Sequence, residues 1–301
     1  MTTAGVRTER VRFDSDGTEL VGTLYRPALP HPVPGIVVTG SWLTVKEQMA
    51  ATYARHLAEA GFAALAFDFA GFGESGGEPR QLESPARKIR DIHHAVGFLE
   101  RDGQVRPDRL GALGICASSG YTAVNAADDP RVRSLALVAP WLHDEALVQE
   151  IYGGPDGVQR KLDAGRAAQR RHEHGEPVQY VPAVSTANPE AAMFGLFDYY
   201  LDPTRGAVPT WDNRFAVMSW PQWLTFDPHP AAARIKAPTL LVHSRAGAIP
   251  QGAEKFHAEL TAPRTLVWTE GSQFDFYDRD ATVRDAAGRA ARHFTETLGR
   301  P

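Results

Sequence analysis

Leu110-Gly111-Ala112-Leu113-Gly114-Ile115-Cys116-Ala117-Ser118-Ser119-Gly120-Tyr121 decides how the rest of the chain is read. Up to Ile115 the run is apolar and interrupted only by small residues, the mark of a strand buried on both faces. Beyond Cys116 come small residues and then an alanine-rich stretch suited to a helix. A side chain at 116 therefore sits on a tight strand-to-helix turn, where backbone and helix approach closely and bulky neighbours are excluded. The pattern is Gly-x-nucleophile-x-small-Gly, a nucleophile elbow with Cys where Ser is commoner. The helix behind it points free N–H groups and its positive dipole end at the thiol, which favours thiolate. A register shifted by two residues makes Ser118 the nucleophile instead; Gly114 and the end of the apolar run favour Cys116. The bland alternative is an inert buried Cys.

Working outward, strand and helix alternate on both sides of this stretch. Residues Arg7–Arg26 read as a hairpin, with Asp14-Ser15-Asp16-Gly17 at the turn. A proline-rich connector leads to Gly35-Ile36-Val37-Val38-Thr39, a continuous apolar strand that ends in Gly40-Ser41-Trp42. The spacing predicts a helix over Lys46–Ala60, closed by Gly61, and then a strand over Phe62–Phe69. Ser84 and Pro85 start the next helix, whose buried stripe is Ile89, Ile92, Val96 and Leu99. Strands follow at Arg109–Ile115 and Ser134–Ala139, later at Thr239–His243 and Arg264–Trp268, with helices at Gln251–Leu260 and Ala281–Leu298. Such alternation predicts a mostly parallel sheet with right-handed crossovers and ligand chemistry at the carboxyl ends of its strands.

Together with Asp68-Phe69-Ala70-Gly71-Phe72-Gly73-Glu74-Ser75, the elbow resembles the α/β-hydrolase superfamily, and within it the dienelactone-hydrolase-like branch, whose elbow carries Cys. The resemblance covers nearly the whole chain. It implies an α/β-hydrolase fold: a core formed by residues 1–140 and 231–301, with residues 141–230 inserted as a mainly helical cap. Aromatic residues crowd the end of that insertion. They serve either as the cap's own core or as the wall of a pocket for an apolar or aromatic substrate. Trp42, Trp141, Trp220 and Trp223 are the expected substrate-binding residues.

The resemblance also implies a triad in the order nucleophile, acid, His. Here the chain departs from the pattern. The loop expected to carry His reads Thr269-Glu270-Gly271-Ser272-Gln273-Phe274-Asp275, and no His occurs between His257 and His293. The acid loop reads Ser244-Arg245-Ala246-Gly247-Ala248, with Ala246 about where Asp belongs. An amide is no base near neutral pH, but it can hold a carbonyl, a thiolate or a water. Cys suffers less than Ser from the loss, because a few per cent is already thiolate. Three solutions stand. Asp144 or His143, with His243 and Asp275 behind them, supplies the base; or the acyl group passes to an amine, thiol or hydroxyl; or Cys116 is never acylated, and the chemistry is cyclisation, elimination or carbon–carbon bond change. The candidate catalytic set is Cys116, Gln273, Asp144 and His143, with backbone N–H groups of Ser41 and Ala117 as the oxyanion hole. A protein that binds without catalysis is the remaining possibility.

The chain has 301 residues, 43% hydrophobic and 23% charged, with a formal net charge of −4, enough for a large core and without the basic excess that nucleic acid demands. A single Cys excludes an internal disulfide, and no apolar run is long enough to span a bilayer. The expected setting is the cytoplasm and the expected partner a small-molecule substrate, with no nucleic acid and no membrane; a homodimer stays open. No cofactor is expected, since Gly71-x-Gly73 lacks the third glycine and the downstream acid of a dinucleotide fingerprint. No metal is expected either. His93 and His94 are adjacent on a helix and cannot share a face, and His172-Glu173-His174 reads as a solvated stretch. Asp68 is expected to brace its turn.

Overall fold

In the computed structural model, which describes residues 5–301, the apolar runs pair into one sheet. Its strands are β1 (Val6–Ser15), β2 (Thr18–Pro27), β3 (Val33–Thr39), β4 (Ala63–Phe67), β5 (Val105–Ile115), β6 (Val132–Val138), β7 (Thr239–Ser244) and β8 (Arg264–Thr269). The spatial order is β1-β2-β4-β3-β5-β6-β7-β8. From β4 to β8 every pairing is parallel; β1 and β2 add antiparallel strands at one edge. The hairpin closes on Asp16-Gly17, both at positive φ, the two-residue turn whose twist suits flanking strands. β3 and β4 are buried along their full length, as are residues Leu110–Ile115 of β5, because helices cover both faces.

Those helices are α1 (Met49–Glu59), α2 (Pro85–Glu100), α3 (Ser118–Asp128), and two more late in the chain. Ser84 Oγ accepts the Arg87 N–H, with Pro85 in the first turn, so α2 starts where the cap residue ends the preceding loop. Between β6 and β7 the alternation lapses, as expected. That stretch holds α4 (Glu145–Ile151), α5 (Gly154–Glu173) and α6 (Trp220–Leu224). It also holds two small two-stranded sheets, Tyr180–Val181 with Phe215–Ala216 and Val184–Ser185 with Met193–Phe194, which no periodicity in the sequence signals. After it come α7 (Pro250–Glu259) and α8 (Asp280–Leu298). α1 packs with α8 on one face of the sheet, and α2 with α3 on the other. Among the described residues no helix is long and apolar enough to cross a membrane.

Two buried ammonium groups fix the loops at the carboxyl edge. Lys46 Nζ lies 2.8 Å from Asp68, 2.6 Å from Glu47 and 2.6 Å from Glu74. Asp68 also accepts the N–H groups of Lys46 and Glu74, so it braces its turn, and Gly73 has no room for a Cβ beside that carboxylate. Lys88 Nζ sits 2.8 Å from Glu83, both fully buried, and lies over the rings of Phe69 and Phe72. The Glu83 carboxylate also accepts the Tyr121 hydroxyl at 2.7 Å. Buried charges persist only when paired in this way.

Candidate active site

β5 delivers Cys116 to the carboxyl edge and α3 starts behind it. Cys116 takes φ of +54°, a left-handed conformation that a non-glycine residue holds only when its surroundings enforce it. They do. Its N–H donates to Val138, its carbonyl accepts from Ser119 and Trp141, and neighbouring positions are too crowded for side chains. A Cβ on Gly114 would lie 2.8 Å from Ser119 Cα, and one on Gly120 would lie 2.9 Å from Phe226. Ser118, the residue of the rival register, is fully buried with an unpaired hydroxyl and lies outside the cavity that Cys116 lines.

The sulfur is ringed by neutral groups. Ser41 and Tyr277 through their hydroxyls, Ala117 through its N–H and Gln273 through its amide all reach it and pull its pKa down. Burial pushes the other way and prevails, so the thiol titrates above its ordinary range. This corrects the expectation that the helix dipole favours thiolate, because the dipole acts on an atom almost stripped of water. Gln273 is fixed at both ends. Its Nε2 donates to Ala139 O at 2.9 Å and to Tyr277 OH at 3.3 Å, and its Oε1 accepts the Ala248 N–H at 2.9 Å. Ser41 Oγ lies 3.1 Å from Tyr277 OH and 3.1 Å from Tyr200 OH. Burial raises both phenols far above their ordinary value, so all three hydroxyls keep their protons. Sequence reasoning missed Tyr200 and Tyr277, and it named Ser41 for its backbone alone. The one signal for Tyr277 was its place four residues beyond Gln273, on the same face of a helical turn.

The bases offered in place of the missing His stand elsewhere. His143 Nδ1 accepts the Trp141 indole N–H at 2.8 Å and its Nε2 faces Trp223 O at 3.2 Å. Burial drives its pKa down to about 4. Asp144 caps α4 by accepting the Leu147 N–H and pairs with Lys255 at 2.7 Å, which hold it in its ionised form below the usual carboxylate range. His243 donates to Ala248 O and is also lowered to about 4 by burial, while Asp275 accepts the Ser272 N–H. None of the four lines the cavity. Each is held by its own local structure: a cap, a loop closure or packed rings.

That cavity measures about 730 Å³. Trp42, Trp141 and Trp223 line it; Trp220 does not, because it is packed against Trp42 and Phe215. The aromatics of the insertion are thus divided. Phe215 and Trp220 form local core, while Phe194, Phe197, Tyr200 and Trp223 face the cavity, with Phe194 54% exposed at its rim. Ala246 lies in the wall near Gln273, where a triad acid is expected. Among the described residues, Glu47, Asp68 and Glu74 come close enough together to hold a cation, and the Lys46 ammonium already occupies their midst.

The arrangement offers a thiol, the Ala117 N–H beside it and hydroxyls that can pass a proton, with no carboxylate or imidazole among the described residues that line the cavity.

Comparison with known proteins agrees with the fold. The profile of the X-Pro dipeptidyl-peptidase (S15 family) matches residues 16–273. The uncharacterized protein PA2218 of Pseudomonas aeruginosa is 33% identical over 277 residues, 87% of this chain and 74% of that protein. Its crystal structure superposes with a TM-score of 0.86 at 28% identity, covering 98% of this chain and 94% of that one. The α/β hydrolase GrgF of Penicillium sp. sh18 superposes with a TM-score of 0.83 at 21% identity, covering 97% and 99%, a likeness of fold alone. A shorter match, 36% identity over 126 residues, joins 42% of this chain to 39% of the thiohydrolase aneE of Aspergillus aculeatus.

Proposed function

Because the chain belongs to the X-Pro dipeptidyl-peptidase (S15) family and is an α/β-hydrolase-type enzyme, we propose that it transfers acyl groups from a thioester or activated ester through Cys116 to an acceptor other than water. The Cys elbow is of the kind found in the dienelactone-hydrolase-like branch. In this reading residues 141–230 act as the cap over the reacting centre, and the core comprises residues 1–140 and 231–301.

The observation that carries the proposal is the set of groups at the sulfur: two hydroxyls, an N–H and an amide, with neither carboxylate nor imidazole among them. The Cys116 sulfur adds to the substrate carbonyl carbon. The oxyanion that forms is held by the N–H groups of Ala117 and Ser41. The bond to the leaving thiol or alcohol then breaks, and the Cys116 proton passes by way of the Tyr277 and Ser41 hydroxyls to the departing sulfur or oxygen. An amine or thiol acceptor attacks the acyl-cysteine, the bond to Cys116 breaks, and the acceptor's proton returns to the sulfur. Such acceptors are nucleophilic without a base on the enzyme, whereas water is not. Gln273 holds Tyr277 and the loop of Ala248 in place. A peptide bond is a poor substrate here, since its carbonyl is little activated and an amine leaves far less readily than a thiol. The name of the partial relative aneE supports a thioester.

A second reading is favoured by the same hydroxyls. Tyr277, Tyr200 and Ser41 could polarise a ketone for ring closure or isomerisation, with Cys116 as a wall of the site. Intact mass spectrometry of protein quenched after mixing with an acyl N-acetylcysteamine thioester separates the two. The expected result is one acyl adduct on Cys116, absent in Cys116→Ala, slow to decay in buffer and fast to decay on adding an amine or thiol. Absence of an adduct in the wild type, with turnover retained in Cys116→Ala and lost in Gln273→Ala, would overturn acyl transfer in favour of the second reading.

A further inference from the structure

The wall of the cavity is apolar or neutral except at one place. Among the described residues that line it, Lys161 on α5 alone carries a charge. Its ammonium lies over the Trp220 ring, 4.2 Å from the centroid, and 5.9 Å from the centroid of Tyr152. Among the described residues it forms no ion pair, although Glu190 is near enough for its charge to be felt. Stacking on an indole anchors a lysine but leaves its three N–H donors without an acceptor.

Beside it, the Tyr152 hydroxyl accepts the Trp223 indole N–H at 2.7 Å. Its own proton finds no acceptor among the described residues, and Tyr152 also lines the cavity. Neither residue is among the groups that hydrogen-bond the sulfur, although Tyr152 is near enough to feel its charge. An ammonium and a phenol hydroxyl with spare protons, set in an apolar wall, make a pair that a carboxylate satisfies with two charge-assisted hydrogen bonds. A phosphate dianion would ask for more donors than this wall supplies.

We propose that Lys161 and Tyr152 recognise a carboxylate carried by the acyl substrate at a point remote from its reacting carbonyl, so that the preferred donors are half-thioesters of dicarboxylic acids. The proposal rests on the acyl-transfer reading for the reacting end, but recognition of the carboxylate does not depend on that chemistry. Burial disfavours the free ammonium, and a bound carboxylate replaces the solvation it has lost. The aliphatic stretch of such a substrate lies against Trp42, Trp141 and Trp223, and Phe194 borders the entrance.

The test uses two N-acetylcysteamine thioesters of octanedioic acid, one with the far carboxylate free and one with it as the methyl ester. The wild type should acylate faster with the free acid. Lys161→Met should cut kcat/KM for the acid by about 10- to 100-fold, the usual size for losing a hydrogen bond to a charged group, and leave the methyl ester within about twofold. Tyr152→Phe should do the same to a smaller extent. In parallel, octanedioic acid monoamide and its methyl ester are titrated into Cys116→Ala with and without Lys161→Met, followed by tryptophan fluorescence. If neither thioester acylates Cys116 but the acid still binds more tightly than the ester only when Lys161 is present, acyl transfer fails and the carboxylate site stands. Equal affinity for acid and ester, unaffected by Lys161→Met, overturns the site whatever the chemistry.

Discussion

Cys116 is held at a strained φ with its sulfur among hydroxyls and amides, and the balance between desolvation and those hydrogen bonds sets its reactivity. Burial is the larger influence, so alkylation by iodoacetamide should follow an apparent pKa above the ordinary cysteine value of about 8.5. Tyr277 favours the thiolate by donating to it. Tyr277→Phe should therefore move the pH–rate profile upward by about 1–2 pH units, the equivalent of one hydrogen bond to a charged group. An unchanged or downward-shifted profile would remove Tyr277 from the sulfur's surroundings. The same displacement has a stability consequence. A thiol held neutral in the fold contributes stability that is complete below the unfolded pKa and is lost as pH rises through the folded one. Cys116→Ala should accordingly flatten the alkaline limb of a denaturation series. At this scale the sequence disclosed the place of Cys116, on a tight turn between an apolar strand and a helix that begins with small residues. It could not disclose Tyr200 or Tyr277, which are ordinary aromatics until folding brings them to Ser41.

The β5–α3 turn depends on absent side chains as much as on present ones. Gly114 faces the backbone of Ser118 and Ser119, with no flexible group to give way. Gly114→Ala should cost about 1–3 kcal/mol, as overpacking does, and should slow acylation of Cys116 more than its surface alkylation controls, because the elbow must tilt. Urea unfolding and adduct formation measured together check this; a variant with wild-type stability and acylation would show the turn to be slack. Element boundaries were legible where a local rule governs them: Asp16-Gly17 in the hairpin, Ser84-Pro85 before α2, apolar runs for β3 and β5. They were illegible in the insertion. Pairs such as Val184–Ser185 with Met193–Phe194 are two residues long and owe their form to what they pack against.

Across the whole molecule, the insertion is fastened to the core through polar contacts that range from fully buried to partly exposed. Glu83 binds Lys88 of α2 and Tyr121 of α3, and its N–H donates to Ser219 Oγ of the insertion at 2.9 Å. The Trp211 indole N–H donates to Leu43 O at 2.8 Å, and Arg205 pairs with Asp278 at 2.6 Å. Glu83→Gln leaves the Lys88 ammonium buried without a counter-charge and should cost about 3–5 kcal/mol by guanidinium unfolding. Replacing Glu83 and Lys88 together by methionine should recover much of that loss. A cost below about 1 kcal/mol for the single change would mean that water reaches the pair. His143, Asp144 and His243 teach the complementary lesson. Each has the residue type for acid–base work, yet each is committed to a ring, a cap or a loop closure. By itself the sequence determined the sheet, the tight turn that carries Cys116, and the Gln273 and Ala246 that stand where a triad His and Asp are expected, because periodicity, turn chemistry and residue type act over a few neighbouring positions. Which groups surround the sulfur, which tryptophans face the cavity and where Lys161 stands were decided by tertiary structure alone. The contacts of Ser41 with Tyr200 and Tyr277 join residues 159 and 236 positions apart, and burial, which reverses the thiol's expected bias toward thiolate, exists only once the chain has closed around it.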